Sequence, residues 1–157
     1  QRAKLEFPAL ELKIIGSGKI EFLPELPLGV IDLGFVSEEE KSQLMRNALA
    51  LCQPSVNESF SIVLMEAWLQ GAPVIVHRDC EVTKFHALTS GGGLYCANGA
   101  EFLACIRVLV TDRKLRGSLA EAGNRYVRTE YSWQRVLERF SEALQVIQDG
   151  KAEQVQA

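Results

Sequence analysis

The sequence is poor in the features that mark several large classes of protein. No apolar run approaches the roughly 18–20 residues that a membrane-spanning helix needs, and no signal-peptide pattern is present. Only two histidines occur, His77 and His86. With Asp79 and Cys80 they match no common zinc spacing, so no metal site is expected. The four cysteines, Cys52, Cys80, Cys96 and Cys105, are scattered without a C-x-x-C pair. That excludes a disulfide framework and points to a reducing cytoplasm. Cys52 and Cys105 sit inside apolar runs and read as small core residues. An excess of positive charge is missing as well. The formal net charge is −3, which removes nucleic acid from the expected partners. No Ser–His–Asp or Cys–His arrangement stands out, so nucleophilic hydrolysis is not expected.

What remains is an ordinary globular composition, 47% hydrophobic and 24% charged over 157 residues, enough for one domain with a real core. Short apolar runs alternate with helical patterns. Buried strands are expected at 10–16, 29–36, 49–54, 73–77 and 93–97. Between the first two lies a loop carrying Pro24 and Pro27. A helix over 37–48 opens with Ser37 and Glu40 at capping-box spacing. Another, over 61–70, closes on Gly71 with Pro73 beyond it. After a glycine loop at 91–93, helices are expected at 100–111, 113–123 and 132–148. The last is amphipathic through Trp133, Val136, Leu137, Phe140, Leu144 and Ile147. This order gives an α/β fold, a Rossmann-like doubly wound parallel sheet with helices on both faces. Ligands of such sheets bind at the carboxyl ends of the strands. The opening "QRAKLEF" is helix-like and lacks an initiator methionine, so the chain reads as a piece of a longer protein. The expected division is a domain over 1–148 and a frayed tail over 149–157.

"GSGK" (16–19) fails as a P-loop, because Ile20 stands where a Ser or Thr would hold magnesium. It is either a tight turn after a strand or a turn that also lines a ligand cleft. The stretch 54–76, "PSVNESFSIVLMEAWLQGAPVIV", carries more. A polar loop (Ser55, Asn57, Glu58, Ser59) runs into a helix N-terminus, where free backbone N–H groups and the helix dipole favour an anion. Ser59 and Ser61 are candidate caps. Glu58 lies just before this helix and Glu66 about 1.5 turns inside it, amid apolar residues. Carboxylates repel phosphate but accept hydrogen bonds from sugar hydroxyls. A diphosphate flanked by two sugars, a nucleotide sugar, suits that arrangement. An ion pair between Glu66 and a neighbouring basic residue, with Glu58 solvated, is the other reading.

The pattern P-S-x-x-E-x-F-x-x-x-x-x-E-A-x-x-x-G-x-P-V-I resembles the signature of the retaining GT-B glycosyltransferases, which include glycogen and sucrose synthases and bacterial mannosyltransferases. "LKIIGSG", "DLGFVSEEEKSQLMRNALALCQPS", "GGGLYCANGAEFLACIRVLVTD" and "YSWQRVLERFSEAL" resemble, in order, the rest of that family's C-terminal, donor-binding domain. The resemblance implies a transferase of glycan biosynthesis that moves a hexose from a nucleoside-diphosphate sugar to an acceptor with retention, with UDP-hexose the favoured donor and no cofactor. It implies that Glu58 contacts the donor sugar as the catalytic carboxylate. Backbone amides of Phe60, Ser61, Ile62 and Val63, beside Ser59, would hold the diphosphate. Glu66 would accept from the ribose hydroxyls. Gly16 and Gly18 would let the chain pass close to the nucleotide, and the backbone at Phe35 and Val36 would meet the base.

Two departures stand out. The family usually has glycine where Ser61 stands. Its basic Arg/Lys pair, its first strand and its N-terminal acceptor domain have no counterpart here. A glycan or lipid-linked acceptor would be met through that missing domain, and the isolated chain is expected to be inactive. The full-length protein is expected to be cytoplasmic or peripheral at the cytoplasmic membrane. Rival readings are a non-catalytic nucleotide-binding or scaffold module, or a GT-B-fold epimerase or phosphorylase.

Overall fold

The computed structural model describes residues 2–18 and 25–155, with side chains as far as Gln148. Ile20 and Pro24, named above, and the lysine of "GSGK" lie outside the described residues. The elements run α1 (Arg2–Glu6), β1 (Leu12–Ile14), β2 (Val30–Asp32), α2 (Glu38–Arg46), β3 (Leu51–Gln53), α3 (Ile62–Leu69), β4 (Val74–His77), α4 (Glu81–Ser90), β5 (Gly93–Cys96), α5 (Gly99–Thr111), α6 (Arg113–Glu130) and α7 (Trp133–Val155). All strand pairing is parallel, as expected of βαβ units. It falls into two sheets, β1–β2 and β3–β4–β5.

β4 is the centre of the larger sheet. Its side chains alternate with the period of two that a strand imposes. Val74 and Val76 face a core with Met45, Leu64, Met65, Ala67, Trp68, Ala87 and Val127. Ile75 faces the opposite core with Cys96, Ile106, Leu109 and Leu119. Helices α3 and α4 therefore cover one face and α5 the other, while α6 feeds both. Half-buried Cys52 and Cys105 pack against the second core. Burial pushes the Cys52 thiol up to about 12, which keeps it protonated and inert.

Two expectations need correction, the burial of β1 and the end of α6. β1 is not buried: Leu12 and Lys13 are exposed, and neither core draws on β1 or β2. The segment before Gly91 holds a full helix, α4, in which Thr83, His86 and Ala87 are buried. Its apolar positions are diluted by polar ones, so no 3.6-residue stripe announces it. Helix α6 runs on to Glu130 rather than ending near 123, because its basic and polar outer face hides a continuous apolar edge through Leu119 and Val127. Helix α7 runs from Trp133 to Val155. Its apolar stripe is real but faces solvent: Trp133, Leu137 and Phe140 are all exposed.

Capping is legible in the chain. Ser37 Oγ accepts from the Glu40 amide at 3.2 Å, and three acids fill the first turn of α2. Asn98 Oδ1 accepts from the amides of Ala100 and Glu101 at the start of α5. The α1 helix is tied back by a bidentate pair, Arg107 to Glu6, at 2.5 and 2.8 Å.

Candidate functional site

The loop between β3 and α3 carries most of the expected site. It leaves the carboxyl end of β3 at Pro54 and enters α3 through Ser61, which sits at the N-cap. Ser61 is not a cap in the usual sense. Its backbone is left-handed, φ 65 and ψ 69, and its side chain makes no capping bond. Among the described residues it is the one non-glycine with positive φ. An L-residue in that region is disfavoured by about 1–2 kcal/mol, and only glycine adopts it freely. The position therefore asks for the glycine usual there in the family it resembles. Serine is tolerated because its hydroxyl, 8% exposed as a residue, accepts from Gln53 Nε2 at 3.4 Å. Ser61→Gly is expected to raise stability by about 0.5–1 kcal/mol, the strain relieved less the entropy glycine adds to the unfolded chain. Urea unfolding checks it: the midpoint should rise without a change of slope.

Gln53 also donates to Glu58 Oε1 at 2.9 Å. One amide at the end of β3 thus fixes the carboxylate of Glu58 and the side chain of Ser61 together. The sequence reading missed Gln53. The signal was present: it is the one polar side chain of the "LALCQ" run, and half-buried amides are held by partners. Ser59 is exposed and caps nothing. The amides of Ile62 and Val63 precede the first intrahelical acceptor, so they have no partner within the helix, and Ile62 itself is exposed.

Glu66 is not enclosed by its apolar neighbours. Its side chain is 34% exposed and pairs with Lys41 of α2, Nζ to Oε1 at 3.0 Å. Lys41 meets Glu38 as well, at 2.7 Å, and the two carboxylates hold its amine above the usual lysine range, with the Glu38 contact the larger cause. The ion-pair reading of Glu66 is thus correct as geometry. It does not exhaust the carboxylate, since one oxygen and a third of the side-chain surface stay open.

The remaining expected residues lie at the carboxyl ends of β1 and β2. The Gly16 amide donates to Gly34 O at 2.9 Å, joining the two loops. Gly16 and Gly18 both have positive φ, and a Cβ at either would meet nothing within 4 Å. These are open backbone surfaces, as a close-approaching ligand needs. Val36 is buried, whereas the Phe35 ring is 84% exposed. His77, at the end of β4, accepts from the Asp79 amide at 3.2 Å. No group of three or more His, Cys, Asp or Glu that could hold a metal ion occurs among the described residues.

His86, by contrast, is turned inward and positions the loop. Its ring lies 5.2 Å from Phe60, edge-on, and Phe60 packs in the same way on Tyr131. His86 Nδ1 and the Tyr126 hydroxyl are 3.0 Å apart, and Tyr126 contacts Tyr131 at 3.2 Å. Phe60 is thereby gripped by α4, α6 and the turn after α6. Burial lowers the pKa of His86, so the neutral ring is the folded form. The unfolded chain then binds the extra proton first. This contribution to stability is fully present above about 6.5 and is lost as pH falls through the lowered folded value. The melting temperature should drop on acidification from pH 7.5 to 5.5, and the drop should be shallower in His86→Gln.

A family model described as "Glycosyl transferases group 1" matches residues 2–126, and the chain belongs to that family. It is 33% identical over 134 residues to the phosphatidyl-myo-inositol mannosyltransferase of Mycobacterium leprae, covering 76% of this chain and 35% of that protein. An uncharacterized glycosyltransferase of Methanocaldococcus jannaschii is 30% identical over 142 residues, with coverages of 84% and 36%. The chain thus spans about a third of the length of these curated relatives. The structure of Anabaena HepE in complex with UDP matches with a TM-score of 0.76 at 18% identity, over 92% of this chain and 43% of that one. That last likeness is one of fold, the α/β fold of GT-B glycosyltransferases. No helix among the described residues is long and apolar enough to cross a membrane.

Proposed function

We propose that this domain binds a nucleoside-diphosphate sugar at the N-terminus of α3 and that the protein carrying it transfers a hexosyl group to a glycan or lipid-linked acceptor, with retention at the anomeric carbon. The observation that carries this reading is the loop at 58–66. The helical amides of Ile62 and Val63 have no partner within the helix and follow a left-handed Ser61. A carboxylate stands on either side, Glu58 held by Gln53 and Glu66 held by Lys41. The diphosphate would sit on the amides, the donor sugar toward Glu58 and the ribose toward Glu66. The open loops at Gly16–Gly18 and Gly34–Val36 would take the base. UDP is the favoured nucleotide, supported by the HepE complex and by family frequency. Retention and the link to glycogen- and sucrose-synthase-like enzymes rest on the E-x7-E resemblance.

Within this reading Lys41 has a stated job. It neutralises part of the charge that Glu66 would otherwise present to a phosphate, and it fixes the carboxylate so that its free oxygen is presented to a hydroxyl. Calorimetry of this chain with UDP, GDP and ADP tests the proposal. Binding in the micromolar to millimolar range, about 4–8 kcal/mol, is expected. No heat with any of the three at millimolar ligand would refute it.

A further inference from the structure

At the opposite end of the larger sheet, by the amino ends of β3 and β4, lies a cavity of about 580 Å³. Three arginines line it: Arg46 from the end of α2, and Arg113 and Arg116 from the start of α6. No carboxylate does. It adjoins a second concavity of about 690 Å³ along α6, which shares Gly71 and Gly117 and adds Arg125, Arg128 and a single acid, Glu121.

The pairing of charges across the molecule makes this concentration informative. Arg78, Arg107, Arg135 and Arg139 each meet a carboxylate. Among the described residues Arg2, Arg46, Arg113, Arg116, Arg125 and Arg128 do not, and all of these but Arg2 line this one groove. In a chain of net charge −3, acids were available to neutralise them. Three of the guanidiniums are already oriented, that of Arg128 by donating from Nε to Asn124 Oδ1 at 2.9 Å. Arg46 Nη2 donates to Gln70 Oε1 at 3.0 Å, and Arg116 Nη1 donates to Leu109 O at 3.1 Å. Each retains further N–H donors in the planar fork that matches a phosphate. The nearby Asp112 carboxylate is occupied as the cap of α6, accepting from the Leu115 amide at 2.8 Å.

The floor gives an independent pointer. Gly117 stands in the interior of α6, where glycine is disfavoured. A Cβ there would meet nothing within 4 Å, so packing within the chain does not require glycine. Its effect is to keep the groove open between the arginines.

We propose that this groove is a second anion site, distinct from the α3 N-terminus, that takes a ligand carrying two or more phosphate groups. Its concavity favours a free phosphorylated ligand over the headgroups of a lipid surface. Calorimetry with inorganic tripolyphosphate at low salt, with excess UDP present to occupy the α3 N-terminus, reads the first source. Sedimentation with vesicles of phosphatidylcholine and phosphatidylglycerol, against phosphatidylcholine alone, reads the second.

Saturable binding of tripolyphosphate is expected, at least tenfold weaker in the double variant Arg113→Gln/Arg116→Gln. A like loss is expected in Gly117→Glu, which fills open space with a helix-favouring acid and should fold normally, as its melting temperature will report. Binding to the anionic vesicles only would overturn the proposal, because phosphatidylglycerol carries a single phosphate and no free polyphosphate would then be held. Tripolyphosphate binding that survives both variants would overturn the proposal, as would no binding to either probe. UDP affinity should be the same in these variants as in the parent chain, so a failure of this site and a failure of the donor site are separately visible.

Discussion

Replacing Trp68 with alanine is expected to remove about 3–5 kcal/mol of stability, a large share of the 5–15 kcal/mol typical of a domain. Trp68 is fully buried, the largest such side chain in the molecule. Its indole lies where α3, α6 and the start of β5 meet, and Nε1 donates to Gly92 O at 2.8 Å. Two glycines make the slot. A Cβ on Gly123 would stand 2.1 Å from the ring, and one on Gly92 would stand 2.7 Å from Nε1. Truncation therefore leaves a cavity between backbones that cannot close over it. Gly123→Ala should hurt from the other direction, by overpacking, at about 1–3 kcal/mol. Thermal unfolding checks both, with a shift of roughly 6–20 °C for Trp68→Ala at this chain length. A loss below about 1 kcal/mol for that variant would mean the slot collapses and the argument fails. The effect reaches the donor loop, because Trp68 stacks edge-on with Tyr126 at 5.9 Å, and Tyr126 belongs to the cluster that grips Phe60.

Glu66→Ala should cost donor affinity rather than stability. If the free carboxylate oxygen accepts from ribose hydroxyls, its removal should weaken UDP binding by about 1.5–3 kcal/mol, roughly 10- to 150-fold. The lost ion pair with Lys41 is partly exposed, its side chains 21% and 34% open to water, and Lys41 keeps its contact with Glu38, so the loss should cost about 1 kcal/mol. Melting temperature without ligand should therefore move little. Glu66→Gln keeps the shape and one acceptor, so it should fall between. The competing outcome is concrete: UDP affinity unchanged while the fold loses several kcal/mol. That would make Glu66 a structural partner of Lys41 and nothing more.

Much of the architecture could be read from local patterns. β4 is an unbroken apolar run bounded by Pro73 and a polar turn, and Ser37 and Gly71 punctuate their helices as expected. The elements that escaped were those whose stability comes from packing rather than pattern. Helix α4 is held by inward-facing Thr83, His86 and Ala87, of which two are polar. The Glu58–Glu66 spacing was visible in the chain, as was the oddity of a serine at position 61. Their supports were not. Gln53 acts on Glu58 from five residues away, and Lys41 acts on Glu66 from another helix. Such partners are fixed by tertiary placement, which no periodicity encodes. The exposure of Glu66 was hidden for the same reason, since apolar sequence neighbours on a helix need not enclose a side chain between them.

The division into two sheets has a dynamic consequence. β4 is flanked by strands on both sides and by cores on both faces, so its amide protons exchange with solvent only when the whole domain opens. Among the described residues β1 and β2 have one partner each and no share in either core, so they open in smaller, cheaper excursions. The two groups of loops in the proposed donor site thus belong to units of different local stability: Gly16, Gly18, Phe35 and Val36 to the weaker one, residues 58–66 to the stronger. A nucleotide spanning both would add its binding energy mainly to the weaker unit. Its base would then be held by a surface that the ligand itself helps to order, while its phosphates rest on one that is already rigid.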